Sequence, residues 1–192
     1  MSSDALYAAV FGHIGPWTEE DWLAIPETPA RIELVSGVLV VTSMPEIPHQ
    51  RLARSFGIAI EDASPDRQWE VFDGLNVRLW IDHVRIPDVV VAREGASGRV
   101  VPAADILLLV EVTSPSNFRQ DRVAKHGEYA EAGIPFYIRI DLHLGLDALE
   151  ASAYEMVDGT YREYATSVDG VLRLECPWPL EADLRALARG RR

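Results

Sequence analysis

The chain has 192 residues, 48% of them hydrophobic and 25% charged, a balance that fits one folded domain spanning residues 1–192 and leaves little for a long disordered tract. Its formal net charge of −12 argues against a broad basic face for gripping nucleic acid, and its single cysteine, Cys176, excludes an internal disulfide and a cysteine metal cluster. No apolar run approaches membrane-spanning length and Asp4 stands where a signal peptide would carry positive charge, so the sequence predicts a cytoplasmic protein without a membrane partner.

Residues 18–25 open with Thr18 and a run of acids, the capping-box pattern of a short helix, and Pro26 stops it. The runs 31–35 and 38–43, joined by Ser36-Gly37, predict a β-hairpin with Glu33 on its first strand. From 48 to about 63, Leu52, Phe56, Ala59 and Ile60 recur at helical spacing, an amphipathic helix with His49 at its start. Short β-rich runs follow at 69–72, 76–81, 88–92 and 106–112. The last two are apolar enough for burial on both faces, which places them at the centre of a sheet. A second long helix over 120–132 stops at Gly133 and leads into a strand at 136–141, completing a strand–helix–strand crossover. The tail carries strand signals near 149–156, 160–165 and 171–175 and a short helix at 181–188.

Two acids interrupt runs suited to burial: Asp88 follows Pro87 at the head of a valine-rich strand, and Glu111 sits in Ile-Leu-Leu-Leu-Val-Glu-Val. A buried carboxylate is costly unless it is paired, hydrogen-bonded or bound to a cation. Taken singly, a strand cap at Asp88 and an arginine partner for Glu111 are sufficient explanations. Charge is also uneven: residues 65–140 carry 11 acids against 9 bases, whereas residues 1–64 carry 9 against 3. Of the 18 basic residues 17 are arginine, and the one lysine, Lys125, lies on the second long helix. A coding bias toward arginine explains the 17 and not the exception. There is no glycine-rich phosphate loop, no Gly-x-Ser-x-Gly, and no His or Cys pair at zinc spacing. Two carboxylates in a cleft would also suit a glycosidase, which these residues alone leave open.

In order along the chain stand Ile86-Pro87-Asp88, then Glu-Val-Thr-Ser-Pro-Ser at 111–116, then Asp121, Lys125 and Tyr129 on a helix, then Gly-Ile-Pro-Phe-Tyr at 133–137. This constellation resembles the Uma-type putative restriction endonuclease family, a branch of the PD-(D/E)XK nucleases. The resemblance reaches back to Glu33-Leu34 with Gly37 and to His49, covers about residues 18–141 with its core motifs in 31–141, and is less specific over the tail. It implies a restriction-endonuclease-like α/β fold: a central mixed β-sheet flanked by helices, with an added N-terminal hairpin and C-terminal strands. It also implies that Asp88 and Glu111, helped by the backbone carbonyl of Val112, hold Mg²⁺ or Mn²⁺. The implied reaction is hydrolysis of phosphodiester bonds in nucleic acid, with DNA the expected substrate and a homodimer presenting two sites to a duplex.

The lysine that the superfamily places two residues after the second acid is here Thr113, which donates only a weak hydrogen bond. Lys125 is the candidate replacement, since its stem reaches from a helix toward a neighbouring strand; the competing reading is a solvated i,i+4 pair with Asp121. Tyr129, one turn on, either positions a phosphate or packs on the sheet. Glu33 either completes the acidic cluster or is an exposed strand acid. His49 either contacts a phosphate or the reacting water, or is a surface histidine at a helix start. Thr113 and the acidic charge also leave open a non-catalytic binding or assembly protein that retains the nuclease fold.

Overall fold

The computed structural model describes residues 12–26, 28, 30–42, 45–65, 67–113, 119–142 and 149–190, with backbone alone for 119–122. Thr18 caps helix α1 (Glu19–Leu23) in a capping box whose partner three residues on is Asp21. The hairpin of β1 (Arg31–Val35) and β2 (Val38–Thr42) turns on Ser36 and Gly37 at φ 48° and 80°, the primed turn that suits strand twist. A Cβ at Gly37 would also meet that of Pro16 at 3.0 Å, so glycine is needed there on two counts. Helix α2 (Ile47–Ala63) follows, then β3 (Trp69–Asp73), β4 (Val77–Trp80), β5 (His83–Arg85), β6 (Val89–Arg93) and β7 (Val101–Pro102). After a 3₁₀ turn come β8 (Ile106–Thr113), α3 (Arg119–Glu131), β9 (Phe136–Leu142), β10 (Leu149–Val157), β11 (Thr160–Thr166), β12 (Val171–Leu174), β13 (Leu180–Asp183) and α4 (Leu184–Ala188).

A six-stranded sheet runs β11-β10-β9-β8-β6-β3, with β6 and β8 inside it as their apolar runs predict. Within it β8 and β9 are parallel, joined through α3 by the expected crossover, and the other neighbours are antiparallel. A five-stranded sheet runs β2-β1-β5-β4-β7, and β12 pairs with β13. The α/β expectation of a mixed central sheet flanked by helices holds.

Period two divides the large sheet into two faces. One packs Val89, Val91, Leu108, Val110, Val112, Ile138 and Ile140 against Leu52, Phe56 and Ile60 of α2 and Leu184 of α4. Helix α2 comes close at Gly57, where an added Cβ would lie 3.4 Å from Val89. The other face packs Val90, Leu109 and Tyr137 against Tyr129 and Ile134, and against Val77 and Val101 of the small sheet. Glu111 and Thr113, two and four residues after Leu109, belong to this second face, between the large sheet and α3.

Three expectations need correction. Residues 180–183 are strand, and the tail helix begins only at Leu184, where the Asp183 carboxylate accepts the Ala186 N–H at 2.9 Å. The run 76–81 loses Ile81 to a turn in which that side chain is 81% exposed. Strands β5 and β7 lie outside the predicted set: one is a three-residue strand with every side chain buried and the other is two residues long, so neither displays an alternation. Among the described residues no helix is long and apolar enough to cross a membrane.

Candidate active site

Asp88 is the residue before β6, and its backbone N–H donates to Val110 O at 3.1 Å. The Val89↔Val110 pairing, continued by one step, sets Asp88 beside Glu111, while the β8–β9 register sets Arg139 on the other side of Glu111. The three residues thus form a row across neighbouring strands that lie about 4.8 Å apart. The Asp88 carboxylate takes the Val112 N–H on Oδ2 at 2.8 Å, Arg31 Nη1 on Oδ1 at 2.9 Å, and has His49 Nε2 at 3.1 Å from Oδ2. Burial opposes its charge, but His49, Arg31 and the Val112 amide outweigh burial and hold its pKa down at about 2. Burial likewise opposes a charged His49, yet its bond to the Asp88 carboxylate raises the imidazole above its ordinary value.

Lys125 and Tyr129 stand at i and i+4 on α3 and so share one helix face. Both reach the same oxygen of Glu111: Tyr129 Oη donates to Oε1 at 2.6 Å and Lys125 Nζ at 3.1 Å. Lys125 Nζ also lies 3.5 Å from Glu33 Oε1. Glu33 is 2% exposed and accepts the Ile86 N–H and Arg85 Nη1, each at 2.9 Å. Its pKa falls because Lys125 and Arg85 outweigh burial. Glu111 behaves oppositely: burial and the neighbouring Asp88 charge raise its pKa despite Lys125, Arg31 and Tyr129. Hence the structure buries two clusters side by side, Asp88 with His49 and Glu111 with Lys125, Tyr129 and Glu33, joined by the register of β6 and β8. The exposed-acid reading of Glu33 and the surface reading of His49, which is 6% exposed, do not survive. Residues 114–118 and the side chains of Asp121 and Arg122 lie outside the described residues.

Sequence reasoning missed a second tier. Arg85 grips Glu128 of α3 through Nε and Nη2 at 2.7 and 2.8 Å, and His83 Nε2 lies 3.3 Å from the same carboxylate. The Thr113 hydroxyl donates to Asp141, which also takes Arg139 Nε at 3.0 Å. Thr113 is thereby turned to β9 and not to Glu111. The signal for Arg139 and Asp141 was present: they alternate with Ile138 and Ile140, a polar face opposite an apolar one. Arg31 and Arg85 carried no such signal, because each becomes a partner only through contacts distant in sequence.

The Mg²⁺ implied by the motif fits these residues. Carboxylate and peptide oxygens are the donors a hard cation takes, and Mg²⁺ retains several waters, so few protein ligands are needed. Among the described residues Asp88 Oδ1 accepts one hydrogen bond and Glu111 Oε2 none, which leaves each carboxylate an acceptor site to offer. A cation between them would also relieve the unfavourable charge on Glu111. Among the described residues no group of three His, Cys, Asp or Glu side chains converges as a ready-made metal cage, here or elsewhere, so the ion would rest on two carboxylates and its own waters. A cleft lined by Trp22, Ile25, Ile32, Asn76, Ile86 and Arg99 contains no carboxylate.

Residues 19–185 match the Uma2 family, described as a putative restriction endonuclease. The match extends into the tail, beyond the region over which the motifs carry the resemblance. A crystal structure of a putative nuclease belonging to DUF820 from Anabaena variabilis ATCC 29413 is similar to this chain with a TM-score of 0.70 and 18% sequence identity, over 90% of this chain and 99% of that one. No curated protein matches.

Proposed function

Because this chain belongs to the Uma2 family of putative restriction endonucleases, we propose that it is a divalent-metal-dependent endonuclease that hydrolyses phosphodiester bonds of DNA, working in the cytoplasm as a homodimer. The observation that carries the reading is the chain's only lysine, buried and reaching across from α3 to Glu111 at 3.1 Å. A buried ammonium has few uses in a fold's interior, and beside two carboxylates it fills the role vacated at Thr113.

In this reading Asp88 and Glu111 hold Mg²⁺ or Mn²⁺, with the Val112 carbonyl beside them. When bound, the ion supplies a water of lowered pKa and positive charge for the scissile phosphate. Tyr129 fixes Oε1 of Glu111 and so aims the carboxylate. Lys125, steadied by Glu33, sets a positive charge where negative charge gathers on the phosphate oxygens in the transition state. Arg31 and His49 hold Asp88 ionised and in place. The uncharged edge strand β2, with Val38 and Val41 each 60% exposed, offers a surface on which two acidic chains can meet.

A second reading has one observation behind it: Arg31, His49 and the Val112 N–H already neutralise Asp88 without a metal. On that reading the protein is a non-catalytic binding or assembly module of the same fold. The two part in a cleavage assay on single- and double-stranded DNA with Mg²⁺. We expect cleavage by wild type, abolition in Asp88→Ala, and a loss of about 10²-fold or more in Lys125→Ala, the scale of one transition-state donor. Wild type inactive on every substrate, with no ion bound, would favour the module; a fully active Lys125→Ala would remove the lysine from the mechanism.

A further inference from the structure

Arg139 is the register neighbour of Glu111, yet it makes no ion pair with it. Its Nε is spent on Asp141, its Cζ lies 5.9 Å from the centre of the Tyr154 ring, and its side chain is 20% exposed. Asp141 is itself anchored by the Thr113 hydroxyl from the next strand. The guanidinium is therefore held on two sides, and its plane is set by a carboxylate and an aromatic face. Its terminal nitrogens, Nη1 and Nη2, bond no described residue. His126 of α3 packs edge-on against the same Tyr154 ring with centroids 4.8 Å apart, so the guanidinium and the helix that carries Lys125 flank one aromatic side chain.

A fixed, partly exposed fork of open N–H donors beside an acidic row is unusual in a chain of net charge −12, and bidentate donation to a phosphate is what such a fork does. We infer that Arg139 binds a backbone phosphate of the nucleic acid next to the one held at Asp88 and Glu111. The inference rests on the nuclease reading and adds to it a substrate contact on the β9 side of the acids. It also gives Thr113 a use: the residue that replaced the lysine orients the Asp141–Arg139 pair.

The test is binding of a fluorescein-labelled DNA duplex by the full chain with Ca²⁺ in place of Mg²⁺, followed by anisotropy across a range of salt. A phosphate contact contributes about 0.9 to the slope of log affinity against log salt. Arg139→Gln should bind severalfold more weakly, with the slope reduced by about 0.9. Arg139→Lys should keep the slope while binding more weakly, because it retains the charge and loses the fork, and it carries the test should the glutamine variant fail to fold. Wild-type affinity and slope in Arg139→Gln, or a slope lost in Arg139→Lys as well, would overturn the contact. Absence of duplex binding by wild type would instead overturn the nuclease reading, and this contact with it.

Discussion

Glu111 receives two donors on one oxygen and still has its pKa raised, which marks a residue kept at a cost to the fold. Glu111→Gln preserves an acceptor for Tyr129 and Lys125 while removing the buried charge. We expect it to melt a few degrees higher than wild type at neutral pH without metal. Mg²⁺ should then raise the melting temperature of wild type and leave that of the variant unchanged, because only the carboxylate gains from the ion. Differential scanning calorimetry checks both statements, and a variant less stable than wild type would contradict the first. Asp88 and Glu111 were visible in the sequence because each interrupts an apolar run, Lys125 because it is singular, and Glu33 only through the resemblance. Their cationic partners were not. Arg31 and Arg85 are two arginines among 17, and only the approach of β1 and β5 to the large sheet and α3 selects them.

At the scale of elements, the contact that seats α3 is the grip of Arg85 on Glu128. Strand β5 supplies Arg85 and His83, and α3 supplies Glu128, Lys125 and Tyr129, so this clamp sets the height at which the lysine enters the site. Replacing Arg85, 3% exposed, with Met strands two carboxylates and should cost about 3–5 kcal/mol by chemical denaturation. Burial opposes the charge on Glu128, but the approach of His83 and the two bonds from Arg85 prevail and depress its pKa from 4.5 to about 2. A carboxylate depressed on folding contributes stability above its unfolded pKa and loses it as pH falls through the folded one. The Glu128 contribution is thus present at pH 4.5 and above and fades toward pH 2, and Glu128→Gln should flatten acid denaturation across that window. The long elements were legible because their periods are plain: α2 from Leu52, Phe56 and Ile60, and β6 and β8 from unbroken apolar runs. Strand β5 was not, because His-Val-Arg is buried entirely and His83 and Arg85 meet their partners, Ser36, Glu33 and Glu128, only far away in the chain. The start of the tail helix was misread for a different reason: Leu180, Leu184 and Leu187 fall near helical spacing, and pairing with β12 overrides it over 180–183.

For the whole molecule, the open question is how a chain of net charge −12 holds a polyanion. The described structure gathers Arg31, Arg139 and Lys125 around Asp88, Glu111, Glu33 and Asp141, so each of these acids has a base beside it. A homodimer would double that local grip. Light scattering should then give a mass near twice 21.3 kDa, and a mass near 21.3 kDa at all working concentrations would remove the dimer. The claim on which the rest depends is that Asp88 and Glu111 hold a divalent cation between them. Crystals soaked in Mn²⁺ and measured at its absorption edge test it in one difference map. An anomalous peak should bridge the Asp88 and Glu111 carboxylates and be absent from the same map of Asp88→Ala; an empty map at that position in wild type, with Arg31 and His49 still closed over Asp88, would rule out the shared cation.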